Sequence, residues 1–186
     1  MGISVVMTIL PPFTDFRGVP VTVMGLGTFG GGAGAVEFLS RRGAQVTVTD
    51  LRDARDLREE VSRLDQLDGP PIRWRLGEHR AEDFREAELV VVNPAVPLDS
   101  SWLELATVHG ARLTTEIGLF WNLCPARTIA VTGSNGKSTT TALTHHILKQ
   151  AGVPTTMGGN IGLPILEQDP LPEGGVYVLE LSSYQI

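Results

Sequence analysis

An α/β fold on parallel sheets is the architecture this sequence predicts, and three observations predict it. Short apolar strands alternate with helix-patterned segments along most of the chain. Two glycine loops each lie between such a strand and a helix, at Gly25-Leu26-Gly27-Thr28-Phe29-Gly30 and at Gly133-Ser134-Asn135-Gly136-Lys137-Ser138. The run Leu89-Val90-Val91-Val92 is apolar on both faces, as buried parallel strands are.

The elements follow in order. Val21-Thr22-Val23-Met24 reads as a strand ending at Gly25, and a helix follows over about Gly32 to Arg42 with Ala35, Val36 and Leu39 inward. Gly43 stops it. Val46-Thr47-Val48-Thr49 is a second strand, ending at Asp50. Residues 53–65 are charged and read as a helix with a solvated face and i,i+4 pairs. Ile72 to Leu76 is a third strand and Leu89 to Val92 a fourth. After Asn93-Pro94-Ala95-Val96-Pro97 a helix is expected, capped by Ser100 or Ser101. Arg112-Leu113-Thr114 is weakly strand-like and Thr115 to Trp121 weakly helical. Residues 1–19 read as a leader of low information.

A boundary is expected near Cys124-Pro125-Ala126. The reading gives a Rossmann-like domain over 20–124, then the incomplete start of a P-loop ATPase domain over 125–186. In that second part Thr128-Ile129-Ala130-Val131 is a strand, Ser138 to Ala151 a helix closed by Gly152 and Pro154, and Val176 to Leu181 a further buried strand. Some sixty residues cannot cover both faces of a doubly wound sheet, so a truncated second domain is expected.

Composition narrows the function classes. The chain has 186 residues, 42% hydrophobic and 19% charged, which favours a packed core over disorder. A net charge of −6 argues against nucleic-acid binding through the bulk field. Backbone anion sites remain open to it. The one cysteine, Cys124, excludes an internal disulfide and fits a reducing, cytoplasmic setting. The apolar start lacks a basic segment and is closed by Pro11-Pro12, which argues against a signal peptide, and no apolar run is long enough for a membrane span.

The first loop matches G-x-G-x-x-G. Its first glycine permits a tight turn, its second lets a diphosphate approach the backbone, and its third, Gly30, lets helix pack on strand. Asp50, twenty residues on, is placed to accept a hydrogen bond from a ribose hydroxyl or a base imide. Alone, this pattern also fits a nicotinamide or flavin dinucleotide site. Gly31, Gly32 and Gly34 weaken the helix start by about 1 kcal/mol each relative to alanine, which favours a reason for close backbone approach.

The second loop is sharper. Gly133, Ser134, Asn135 and Gly136 supply amides that wrap phosphate oxygens, Lys137 places a cation on the β/γ-phosphates, and the Ser138 hydroxyl is a ligand for Mg²⁺. Thr139 continues the helix start. The strict eight-residue Walker spacing needs glycine where Val131 stands, so this is a short variant. A phosphate-bound Mg²⁺ wants a carboxylate too, and Glu180 ends the strand Val176-Tyr177-Val178-Leu179 at the edge where open α/β sheets bind ligands.

Together with Gly158-Gly159-Asn160-Ile161-Gly162-Leu163-Pro164 and Leu179-Glu180-Leu181-Ser182-Ser183-Tyr184-Gln185, the second loop resembles the Mur ligase family, over about residues 20–186 and most strongly from 127. The resemblance implies that the first domain holds the UDP part of a substrate rather than NAD. Gly27, Thr28 and Phe29 would flank diphosphate and uracil, and Asp50 would meet the uracil edge. Asn160 and Ser182 would lie near the substrate and metals, with ATP and Mg²⁺ as cofactors on Lys137, Ser138 and Glu180.

The implied reaction is ATP-dependent addition of D-glutamate to UDP-N-acetylmuramoyl-L-alanine, through an acyl phosphate. It would serve peptidoglycan precursor synthesis, cell-wall biogenesis, cell shape and cell division. The implied partners are small molecules, with no nucleic acid and no membrane insertion, and the full-length form is expected to be a cytoplasmic monomer. Asn93-Pro94-Ala95 stands where the family often has Ser-Pro-Gly, and Leu51 where a hydroxyl residue is common. The family's modified lysine, a downstream histidine and the C-terminal domain would lie beyond Ile186, so this chain alone is expected not to turn over. Rival readings are another family member or a folylpolyglutamate-synthase-like ligase, an NAD-dependent oxidoreductase, and a non-catalytic nucleotide-binding module.

Other residues read as structural. His145 and His146 are adjacent on a helix and diverge by about 100°. His79 and His109 lie in polar segments without evident partners, and Trp74, Trp102 and Trp121 read as core or boundary packing.

Overall fold

The computed structural model describes residues 15–26, 31–124, 126–162 and 164–182. The chain divides into two compact units, Met1–Asn122 and Leu123–Ile186. Gly30 of the first loop lies outside the described residues.

In the first unit the strands are β1 (Pro20–Met24), β2 (Gln45–Asp50), β3 (Arg73–Leu76), β4 (Leu89–Val92) and β5 (Arg112–Thr114). The helices are α1 (Gly31–Arg41), α2 (Arg58–Leu64), α3 (Ala81–Arg85), α4 (Ser101–Val108) and α5 (Glu116–Leu123). Among the described residues these strands form one parallel sheet in the order β3-β2-β1-β4-β5. The order reverses between β1 and β4, where Met24 lies opposite Val92, so their C-terminal ends open a crevice of the kind that binds ligands in open sheets.

Both faces of this sheet are covered. Val21, Val23, Val46 and Val48 on one face are buried together with Val36 and Leu39 of α1. On the other, Met24, Val90 and Val92 pack with Phe84 of α3 and with Leu103 and Ala106 of α4. Burying a side chain such as Phe84 is worth about 1.5–3 kcal/mol.

Several expectations need correction. The helix expected over 53–65 starts only at Arg58, because Asp53 Oδ1 accepts the amides of Arg55 (2.7 Å) and Asp56 (3.2 Å) and holds a turn. Arg63 pairs across to Glu37 of α1 at 2.7 Å rather than along its own helix. Ser100 takes the cap position of α4 through its carbonyl, which accepts from Leu103 (3.0 Å) and Glu104 (3.2 Å), with no side-chain cap bond.

The supposed leader is structured at its end. Phe16 is buried edge-on against Phe38, with ring centroids 6.0 Å apart, and Gly18 N–H donates to Gly43 O at 2.9 Å. Trp121 is exposed, whereas Trp102 stacks on Phe84 at 5.2 Å. His79 is not isolated. Its Nδ1 lies 2.6 Å from Thr49 Oγ1, and its ring meets Phe84 and Trp102 edge-on. Burial lowers its pKa, against a smaller opposing pull from Asp50.

In the second unit the strands are β6 (Arg127–Val131), β7 (Thr155–Gly159) and β8 (Val176–Glu180), with helix α6 (Lys137–Gln150) and a short 3-10 turn (Ile165–Glu167). Among the described residues the parallel order is β6-β8-β7. Tyr177, Val178 and Leu179 of the central strand are buried, whereas β6 is open on both sets of alternating side chains, with Ile129 and Ala130 exposed. On α6, Leu143 and Ile147 are exposed one turn apart.

Candidate functional site

The first unit gathers its site at the C-terminal ends of β1, β2 and β4. A Cβ on Gly25 would meet Asn93 Cβ at 3.1 Å, so the two crevice walls touch at their base. Asn93 Oδ1 accepts the Ala95 amide at 3.0 Å, which closes the turn after β4 with a side-chain oxygen, as a serine there would. Ala95 and Leu51 are both exposed.

The close approach of helix to strand falls at Gly32. Its amide donates to Leu26 O at 3.1 Å, and a Cβ there would strike the Gly25 carbonyl oxygen and come within 2.6 Å of Leu26 Cα. Gly32 therefore makes a close helix-to-strand approach of the kind expected of the third glycine of the motif, Gly30, which lies outside the described residues.

Asp50 ties the crevice together. It is 7% exposed, and both of its oxygens are engaged. Oδ2 accepts from the Leu26 amide (3.0 Å) and from Arg52 Nη2 (2.8 Å). Oδ1 accepts from the Arg52 amide (2.9 Å) and from Nε (3.2 Å). Burial alone would raise this carboxyl, but the hydrogen bonds from Arg52 and Leu26 outweigh it and hold the pKa below 3.8. The carboxylate thus fixes the first residue after Gly25 while presenting the Arg52 guanidinium. Gly27, Thr28 and Phe29 lie outside the described residues.

The second unit gathers its site at the ends of β6, β8 and β7. Val131 lies opposite Glu180, and Gly159 lies opposite it on the other side. The loop from Thr132 to Gly136 leaves β6 and enters α6 at Gly136, whose φ of 75° is left-handed and suits glycine. Gly133, Ser134, Asn135, Ser138 and Thr139 are exposed around it. Lys137 Nζ donates to Gly133 O at 2.9 Å, bridging the loop's two ends. The amides at the start of α6 present the positive end of the helix dipole, a geometry suited to an anion.

Glu180 is 5% exposed, and its Oε2 has no hydrogen-bond partner among the described residues. Its carbonyl accepts from the Asn160 amide at 2.9 Å, which sets Asn160 beside the acid. Ser182 follows two residues after Glu180 at the same edge. A buried carboxylate oxygen left unpaired costs free energy, and a cation is the group that restores it. The donor set at this edge, a hydroxyl at Ser138 and an acid at Glu180, fits Mg²⁺ beside phosphate. His145 and His146 add nothing to it: His146 is exposed, and no group of three or more His, Cys, Asp or Glu among the described residues forms a protein-only metal cage.

Sequence reasoning did not find Arg52, although it had a signal, a cation two residues after the strand-ending acid. Gly32 was singled out only with Gly31 and Gly34 as favouring close backbone approach.

Comparison with known proteins gives the family of the chain. Residues 20–115 match the model described as Mur ligase MurD-like, N-terminal domain, and residues 131–186 match the Mur ligase middle domain. The UDP-N-acetylmuramoylalanine--D-glutamate ligase of Roseiflexus sp. (strain RS-1) is 48% identical over 173 residues, covering 92% of this chain and 36% of the relative. That of Treponema pallidum (strain Nichols) is 44% identical over 173 residues, covering 91% and 32%. The chain thus spans about a third of the length of these curated relatives.

Among solved structures, the UDP-N-acetylmuramate:L-alanyl-gamma-D-glutamyl-meso-diaminopimelate ligase of Neisseria meningitides superposes with a TM-score of 0.55 at 22% identity, covering 86% of this chain and 51% of that one. The murein peptide ligase of Psychrobacter arcticus 273-4 gives 0.50 at 20% identity, covering 90% and 39%. These two speak for the fold. With the family model spanning the first sheet and a second model spanning the phosphate loop and Glu180, the chain belongs to the Mur ligase family.

Proposed function

We propose that this chain supplies the UDP-substrate site and the phosphate-loop part of the ATP site of an ATP-dependent amide ligase, which adds D-glutamate to UDP-N-acetylmuramoyl-L-alanine in peptidoglycan precursor synthesis. The observation that carries the reading is the register that sets Val131, the root of the phosphate loop, beside the buried and unpaired Glu180. The relatives named for that reaction support the choice of substrate.

In this reading the domains are 20–124 for the substrate and 125–186 for the start of the ATP domain. Gly133, Ser134, Asn135, Gly136 and Thr139 cradle the ATP phosphates with backbone amides and hydroxyls. Lys137 leaves the Gly133 carbonyl, now 2.9 Å away, for the β/γ-phosphates. The reaction transfers the γ-phosphoryl group of ATP to the substrate carboxylate. The amine of D-glutamate then attacks the acyl carbon, forming the amide and expelling phosphate. The chain's part is positioning and charge neutralisation, which for phosphoryl transfer is most of catalysis. Ser138 and Glu180 would hold Mg²⁺, which when bound neutralises charge on the phosphates.

Gly27, Thr28 and Phe29 take the diphosphate and uracil. Asp50 takes the uracil edge, either directly or through the Arg52 it holds. Asn160 and Ser182 lie near the substrate and the metal. The reading places the working protein in the cytoplasm, and no helix among the described residues is long and apolar enough to cross a membrane.

The test is calorimetric titration of the chain with UDP-N-acetylmuramoyl-L-alanine and, in parallel, NADH. Heat with the UDP-sugar and none with NADH is the expected result. Binding of NADH alone would overturn the assignment in favour of a dinucleotide enzyme.

A further inference from the structure

The turn after β4 leaves one polar group unused at the base of the first unit's crevice. Asn93 opens that turn, and its backbone is engaged on both sides. Its amide donates to Met24 O at 3.0 Å, which carries the ladder between β1 and β4 one residue further. Its carbonyl accepts from the Val96 amide at 2.9 Å. On the side chain, Oδ1 accepts from the Ala95 amide at 3.0 Å. A backbone N–H can only donate, so the atom at that contact has to be the oxygen, and the orientation of the side-chain amide follows. The remaining group, the Nδ2 amino group, has no acceptor among the described residues.

The position of the side chain decides what that group faces. Strands β1 and β4 are the pair at which the sheet order reverses. A Cβ on Gly25, the first glycine of the loop, would lie 3.1 Å from Asn93 Cβ and 3.7 Å from its Cγ. The half-buried side chain therefore stands against the root of the glycine loop, across the base of the crevice. Its backbone is restricted as well, because Pro94 follows and a residue before proline is confined to extended conformations. The donor is held in place before any ligand arrives, which lowers the ordering cost of binding.

Resting on the UDP-substrate reading above, we propose that Asn93 is a further binding residue of the crevice, whose Nδ2 donates to a phosphate oxygen of the nucleotide. Three points choose this chemistry. With Oδ1 committed to Ala95, the side-chain amide can only donate, so its partner is an acceptor. Phosphate oxygens are ionised acceptors, and hydrogen bonds to ionised groups are roughly twice as strong as neutral ones. The loop it abuts is one whose glycines admit a diphosphate to the backbone. A serine at this place would close the same turn with its hydroxyl but would bring no amino group. The two tasks are thus separable: the oxygen serves the turn and the nitrogen serves the ligand.

The test is an amide-shift titration of the 186-residue chain with UDP and with uridine, which lacks the phosphates. Asn93→Ser and Asn93→Asp both keep an oxygen for the Ala95 amide. Asn93→Ser loses only the donor and should weaken UDP about five- to tenfold. Asn93→Asp sets a negative charge where the donor stood and should weaken UDP by more than about tenfold. Uridine should bind the variants as it binds the unaltered chain. If Asn93→Asp does not fold, Asn93→Ser carries the test alone. Variants that bind UDP as tightly as the unaltered chain would overturn the proposal. So would an equal loss for UDP and uridine, because the side chain would then act only through the shape of the turn. Failure of the unaltered chain to bind UDP at all would overturn the UDP reading itself, and this proposal with it.

Discussion

Asp50 and Glu180 occupy matching places in the two units and have opposite surroundings. Each ends a parallel strand at the C-terminal edge of its sheet, and each is nearly buried, at 7% and 5% exposure. Both oxygens of Asp50 accept from Leu26 and Arg52. Glu180 Oε2 has no partner among the described residues. The sheets differ in the same way. The first is packed on both faces, whereas α6 of the second leaves Leu143 and Ile147 in solvent and β6 leaves Ile129 there. A satisfied acid in a packed unit holds the backbone still. An orphaned acid in an open unit holds free energy that a bound cation recovers.

The sharpest way to break this comparison is to remove apolar volume from each unit. Phe84 is fully buried between α4 and the sheet, so Phe84→Ala should destabilise the first unit by about 3–5 kcal/mol. Leu143 is more than half exposed, so Leu143→Ala should change stability by less than about 0.5 kcal/mol. Urea denaturation of both variants is the check. A large loss from Leu143→Ala would mean that α6 is packed in solution and the contrast is false.

Gly32→Ala comes next. Alanine is the better helix former, yet its Cβ would meet Leu26 Cα at 2.6 Å, backbone that cannot rotate away. A net loss of about 1–3 kcal/mol is expected from forcing α1 off the sheet. Thermal melting measures it, and a rise in Tm would refute the close-approach role.

Much of this architecture was legible beforehand, and the exceptions have physical causes. Strands β1, β2, β4 and β8 announced themselves because short runs rich in β-branched and apolar residues, bounded by turns, have few other uses. Helix α3 did not, since its five residues carry little periodicity and it is held by Arg75 of β3 and by Thr22 of the distant β1. Strand β7 did not either: Thr155-Thr156-Met157-Gly158-Gly159 has weak strand propensity, and pairing with β8 holds it. His79 was misjudged because its partner Thr49 is thirty residues away along the chain. At the site, the residue types suggested the phosphate chemistry proposed above. What they could not show was that Asp50 spends its oxygens on its own loop, or that Glu180 leaves one unspent.

Asp50→Asn tests the satisfied acid. An asparagine cannot accept from Leu26 and Arg52 together as a carboxylate does, so a loss of about 1.5–3 kcal/mol is expected. The wild-type pH dependence has a definite sign. The folded pKa lies below the ordinary 3.8, so this stabilisation is complete above the unfolded value and is lost as pH falls through the folded one. Urea midpoints taken between pH 5 and pH 2 should fall more steeply in the wild type than in Asp50→Asn. Parallel curves would show that the Arg52 and Leu26 bonds do not hold the carboxylate.

Glu180→Gln should move the other way, and by less. With no ligand bound, the variant exchanges an uncompensated buried charge for a neutral amide of nearly the same shape. A gain of about 1 kcal/mol is expected, read as a higher Tm in metal-free buffer. The same change removes the acid proposed to hold Mg²⁺, so stabilisation of the wild type by Mg²⁺ with ATP should be lost in the variant. The two readouts separate two explanations. A higher Tm with the Mg²⁺–ATP effect intact would mean that Glu180 is merely an ill-satisfied core acid. A lower Tm would mean that its Oε2 is satisfied in solution, and that the contrast with Asp50 does not hold.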